Sequence, residues 1–93
     1  MTPWELRTTK RFLKSLKKLD KTVATQVLRD LNRLAALDDP TKPCKALSGP
    51  LKGLWRYRVG DWRVILDIRR GELVILALDV QHRSQVYKEW NRR

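Results

Sequence analysis

Two residues, Gly60-Asp61, separate two runs of alternating side chains, and they constrain this chain more tightly than any other feature. On one side, Trp55, Tyr57 and Val59 alternate with Arg56 and Arg58. On the other, Trp62, Val64, Leu66 and Ile68 supply every second residue of an apolar face. A period of two is the mark of a strand, and a two-residue link with glycine is a hairpin signal. Such a link fixes the pairing, so Val59 opposes Trp62, Arg58 opposes Arg63, Tyr57 opposes Val64 and Arg56 opposes Ile65. Arg56, Arg58 and Arg63 then share one face, and Trp55, Tyr57, Val59, Trp62, Val64 and Leu66 share the other.

The rest of the chain is read around this hairpin. Trp4 to Arg7 is expected to be a short strand. Thr8 or Thr9 offers an N-cap, and Phe12, Leu13, Leu16 and Leu19 follow at helical spacing. Lys10, Lys14, Lys17 and Lys21 run down another side of that helix, either as a solvated face or as a contact for RNA or an acidic partner. Asp20 can cap a second helix lined by Val23, Val27, Leu31 and Leu34, with Ala24, Leu28 and Ala35 beside them. Asp38-Asp39-Pro40 ends it, because the residue before proline avoids helical geometry. The short link between the helices makes them an antiparallel hairpin. Pro40 to Gly53 reads as an irregular basic loop. Arg70-Gly71 reads as a second tight turn, and Leu73 to Val80 as a central strand. Ser84 can cap a final helix to Trp90. The expected fold is α+β in a single domain, 1–93: an N-terminal strand, a helical hairpin, a three-stranded antiparallel meander completing one small sheet, and a short C-terminal helix.

Composition narrows the function. Twenty-one Lys and Arg face ten Asp and Glu, a formal net charge of +11. A field of this sign favours an anionic partner: nucleic acid, an acidic protein or a membrane surface. Hydrophobic residues make up 42% of the chain, enough for a core and against disorder. Cys44 is the only cysteine and His82 the only histidine, so neither a disulfide nor a zinc site of the usual ligand count is expected. Cys44 reads as a part-buried filler. No targeting or membrane segment is read, so the expected location is the cytoplasm.

Arginines facing each other across strands repel, and an anion held between them reverses the sign. Arginine also grips phosphate through two parallel donors. If Arg70-Gly71 is a two-residue turn, Arg63 opposes Leu78, positions 74, 76, 78 and 80 lie on the arginine face, and His82 ends the strand on that face. Asp79 to Tyr87 is the densest run of reactive side chains. His82 is the best proton-transfer candidate, Arg83 adds charge, and Tyr87 lies one helical turn further. Lys42, Lys45 and Lys52 are expected to bind RNA, and a lysine of lowered pKa, Lys45 or Lys52, is a weaker base candidate. RNA carries its own nucleophile, the 2′-hydroxyl, so cleavage needs proton transfer and charge stabilisation but no metal or other cofactor.

Leu47-Ser48-Gly49, the stretch Leu54 to Ile65, and His82-Arg83-Ser84-Gln85-Val86-Tyr87 together resemble the RelE/ParE toxin superfamily over nearly the whole chain. The resemblance implies a toxin that enters the ribosomal A site and cuts mRNA without a metal, leaving a 2′,3′-cyclic phosphate. It implies catalytic roles for His82, Arg63, Arg58, Arg56, Arg83 and Tyr87. One departure is plain: the best-studied branch carries lysines where Arg56 and Arg58 stand. Arginine there implies charge stabilisation, which gives His82 more weight in proton transfer. The implied partners are mRNA and the ribosome, and a cognate antitoxin with an acidic toxin-binding segment. Operator DNA is reached only through the antitoxin, and no membrane is involved. Two other readings stay open: a DNA gyrase inhibitor of the ParE type, and a degenerate toxin that only binds antitoxin.

Overall fold

A computed structural model describes residues 4–85. The chain begins with strand β1 (Glu5–Thr8), then helices α1 (Lys10–Lys17) and α2 (Lys21–Ala35). Strand β2 (Lys45–Ala46), a 3-10 turn (Gly49–Leu51) and strands β3 (Trp55–Val59), β4 (Trp62–Arg69) and β5 (Val74–His82) follow. The strands form a five-stranded sheet in the order β1-β5-β4-β3-β2. β1 lies parallel to β5; the other pairs are antiparallel. The expected α+β architecture holds, with one strand more than the sequence suggested. β2 lies in what reads as irregular loop, because two residues between prolines and glycines carry no periodicity.

Each helix forms where the apolar spacing and the start signals agree. The Thr9 hydroxyl accepts from the Phe12 N–H at 3.1 Å and caps α1. Asp20 takes the N-cap position of α2, but its side chain makes no capping bond. α1 lies over β5, and α2 lies over β1 and β3. Phe12, Val27, Leu31 and Leu34 bury almost completely against Val64, Leu66, Ile75 and Ala77 of the sheet. Burial on this scale contributes roughly 1.5–3 kcal/mol for each large side chain. Leu13, expected within the apolar stripe of α1, is 44% exposed. No helix among the described residues is long and apolar enough to cross a membrane.

The β3–β4 hairpin has the pairing that its two-residue turn dictates, with Arg58 opposite Arg63 and Arg56 opposite Ile65. Gly60 sits at φ +59°, where glycine meets no Cβ penalty. The next turn departs from expectation. Arg69 pairs with Val74, so four residues, Arg70 to Leu73, make the turn, and Leu73 adopts φ +54° instead of starting the strand.

Adding two residues to a turn keeps side-chain parity, so Val74 and Leu76 do oppose Arg69 and Asp67 on the arginine face. A bulge then breaks the parity. Leu66 pairs with Ala77 but Ile65 with Asp79, which leaves Leu78 as the extra residue. Beyond it Val80 opposes Val64, Gln81 opposes Arg63, and His82 opposes Trp62. The expected pairing of Arg63 with Leu78 and the placement of His82 on the arginine face are therefore corrected. Val80, also expected on the arginine face, is buried in the core under the helices.

The bulge is held from outside its own strand. The Thr9 hydroxyl lies 3.1 Å from the carbonyls of both Ala77 and Leu78. Asp79, fully buried, accepts the Ser15 hydroxyl at 2.6 Å, Arg11 Nε at 3.2 Å and the Val80 N–H at 2.9 Å. A buried carboxylate persists only where such donors replace water.

Candidate functional site

The candidate site occupies the end of the sheet where the β3–β4 turn meets the end of β5. Arg58 and Arg63 face each other there, and both guanidinium groups donate to the Gly60 carbonyl, at 3.4 and 2.8 Å. Arg56, two residues back on β3, extends the row on the same face. Lys45 opposes Arg56 from β2, so the sheet pairing brings this expected RNA-binding lysine into the row. A cavity of ≈ 410 Å³ lies beside that pair, walled by the Leu47 to Leu51 segment.

Arg83 joins the group from the other side. Its N–H donates to the Asp61 carbonyl at 2.8 Å, which ties the end of β5 to the hairpin turn. Its guanidinium lies 3.9 Å from the Asp61 carboxylate. The electrostatic signature of the cluster is on Arg63. Desolvation, then repulsion from Arg58, Arg56 and Arg83, holds its guanidinium below the ordinary pKa, while Asp61 acts the other way. Arginine stays charged through such a shift, so partial desolvation and the neighbouring cations weigh on Arg63 without removing its charge. Asp67, on the arginine face of β4, is engaged 3.0 Å away by Arg69.

Gln81 pairs with Arg63 across β4 and β5, a position that strand periodicity alone does not single out. The missing signal is the Leu78 bulge, which no local pattern announces. Its amide reaches toward Ser15 and Asp79 at 3.4 Å.

His82 stands on the Trp62 side, and the two rings meet edge-to-face at 5.4 Å. Its Nδ1 accepts the Ser84 N–H at 3.2 Å and lies 2.8 Å from the Ser84 hydroxyl. A backbone N–H can only donate, so Nδ1 is the acceptor and a neutral ring carries its proton on Nε2. Ser84, expected to cap a final helix, sits in the turn after β5. Tyr87 and the expected final helix to Trp90 lie outside the described residues.

Lys42 follows Asp39, whose lowered carboxyl pKa it supports after the larger effect of Thr41. Lys52 is exposed at the end of the 3-10 turn. Neither belongs to a paired strand. Cys44 packs against the core, and burial pushes its thiol up to about 12. That protonated sulfur donates to the Pro40 carbonyl at 3.3 Å, as expected of a filler and not of a nucleophile.

Comparison with known proteins agrees with the geometry. The family described as ParE toxin of type II toxin-antitoxin system, parDE, matches residues 6–87. Among solved structures, the RelBE2 toxin–antitoxin complex of Mycobacterium tuberculosis is similar at a TM-score of 0.81 and 26% identity, covering 90% of this chain and 95% of that one. The archaeal RelE–RelB complex of Pyrococcus horikoshii OT3 is similar at 0.70 and 26%, covering 91% and 99%. Escherichia coli RelE, as a double arginine-to-alanine variant in the free state, shares the fold at 0.72 and 23%, covering 94% and 93%. No curated protein matches the chain. With 82 of its 93 residues inside the family match, the chain belongs to the ParE toxin family of type II toxin–antitoxin systems, within the RelE/ParE toxin superfamily.

Proposed function

We propose that this toxin cleaves mRNA in the ribosomal A site, by metal-independent attack of the RNA's own 2′-hydroxyl. The observation that carries this reading is the arginine cluster: Arg56, Arg58, Arg63 and Arg83 crowd one corner of the sheet, and Arg63 feels the other three. Such crowding costs stability unless an anion is meant to sit there, and guanidinium forks match phosphate.

In the reaction the 2′-hydroxyl gives up its proton to solvent water, its oxygen bonds to phosphorus, and the bond to the 5′-oxygen breaks as that oxygen takes up a proton, giving a 2′,3′-cyclic phosphate and a 5′-hydroxyl. The arginines stabilise the charge that builds on the phosphoryl oxygens, and Lys45 adds to the field from beside Arg56. The His82 Nδ1 is engaged by Ser84, so Nε2 is the atom that meets substrate. On taking up a second proton the ring releases the Ser84 N–H, donates from Nδ1 to the Ser84 hydroxyl 2.8 Å away, and delivers the Nε2 proton to the leaving oxygen. Tyr87 assists in this scheme. Lys42 and Lys52 contact RNA outside the reacting phosphate.

Two relatives were solved as toxin–antitoxin complexes. A net charge of +11 suits an antitoxin whose acidic segment covers the arginine corner. One observation favours a second reading. His82 faces Trp62 and not the arginine row, which suits a ParE-type inhibitor of DNA gyrase that cuts no RNA. Addition of the protein to a translation extract, with cleavage mapped by primer extension, decides between them. Cuts at A-site codons are expected. Intact mRNA with lost gyrase supercoiling would overturn the reading.

A further inference from the structure

We infer that the Trp62–His82 side of the sheet end is a niche for a single unpaired nucleobase of the strand whose phosphate the arginines hold. This rests on the RNA reading above and deepens it. A cavity of ≈ 330 Å³ opens between the end of α1 and the ends of β4 and β5. It is lined by the aromatic Trp62 and His82, by the apolar Leu19 and Val80, and by polar residues that include Lys18, Gln81 and Gln85. An aromatic wall with amide and ammonium groups at the rim is what a flat, hydrogen-bonding heterocycle needs.

Connectivity ties the niche to the phosphate site. Trp62 and Arg63 are consecutive on β4 and point to opposite faces, and His82 and Arg83 are consecutive at the end of β5. A ribonucleotide strand rounding this corner therefore offers a phosphate to one side and the neighbouring base to the other. The Leu78 bulge creates the arrangement: without it His82 would join the arginines and the niche would lose a wall. An acidic peptide is the competing occupant. Lys18 alone supplies charge among the walls named here, against four arginines around the corner, so the niche itself is built for stacking more than for carboxylates.

The test uses the full chain and a trinucleotide with every 2′-oxygen methylated, which binds but cannot attack. Versions lacking one base at each position in turn are compared with the intact probe. The His82 ring resonances report occupancy, since the chain has one histidine. Loss of one flanking base is expected to weaken binding about tenfold and abolish the His82 shift. Trp62→Leu should erase that difference while salt-dependent binding persists. The comparison on the unaltered protein stands even where the variant fails to fold. If the probe binds salt-dependently but no base matters and His82 does not move, the niche is refuted and the arginine site survives. If an acidic peptide shifts His82 and the probe does not, the niche belongs to a polypeptide and the inference falls. Absence of any salt-dependent binding would remove the RNA reading and the niche with it.

Discussion

Arg58 and Arg63 face each other across β3 and β4 and donate to the same carbonyl, that of Gly60, at 3.4 and 2.8 Å. The turn's backbone thus aims two cations at one point in solvent. Shared use of one acceptor offsets part of their repulsion and fixes where an incoming anion meets them.

Replacement of either arginine should separate activity from stability. Arg63→Ala is expected to lower mRNA cleavage by about 10²–10³-fold, as loss of a charge-stabilising donor does elsewhere. Thermal stability should hold or rise slightly, because a like-charged cross-strand pair costs roughly 0.2–1 kcal/mol. Extract cleavage beside a melting curve reads both; a large drop in melting temperature would mean that the pair is structural.

The Asp79 network should behave in the opposite way. Ser15→Ala removes the 2.6 Å donor to a buried carboxylate and should cost about 1–3 kcal/mol. Asp79→Ala should cost more, since Ser15, Arg11 and the Val80 N–H all lose their acceptor. Urea midpoints measure the loss. Cross-strand Hα contacts should also change, from Arg63 with Gln81 towards a mixture of registers, if the carboxylate holds the bulge.

Acid should weaken the fold through a defined pair of carboxyls. Thr41 first, through its hydroxyl and then its N–H, holds Asp39 below its ordinary 3.8. Arg7 holds Glu5 below 4.5. A folded-state pKa that is depressed gives stability that is present above the unfolded value and lost as pH falls through the folded one. Denaturation midpoints should therefore be flat above about pH 5 and fall below about pH 4. Thr41→Val should flatten the Asp39 part of that slope; an unchanged slope would discount it.

Cys44 carries the alkaline counterpart. Its thiol is raised from 9.0 to about 12 by burial, with Asp39 adding to the effect. The folded state keeps the proton that the unfolded state releases, so this contribution is intact below pH 9 and lost as pH rises towards 12. Iodoacetamide at pH 8 should label part-buried Cys44 in the native protein more slowly than in the urea-unfolded chain; equal rates would contradict the raised thiol pKa.

The His82 tautomer is directly observable. With Nδ1 accepting from Ser84, nitrogen spectra of the neutral ring should show the proton on Nε2. The opposite tautomer would break the assignment of Nε2 to substrate.

The legible parts of this protein are the local ones. A two-residue turn closes one hairpin, and it alone fixed the pairing of Arg56, Arg58 and Arg63, because register there follows from covalent connectivity and strand twist. Thr9 and the apolar spacing likewise marked α1, whose cap and periodicity are set by neighbours close in sequence. Leu78 carries no comparable mark. Its bulge is bonded from α1 and the residue before it: Thr9 and Ser15, distant in sequence, reach β5 at its carbonyls and at the Asp79 carboxylate. One extra residue there put Gln81 opposite Arg63 and His82 opposite Trp62. Strand parity reverses with a single inserted residue, so the bulge and its partners in another element, and not the strand's own pattern, decided which side chain stands opposite Arg63.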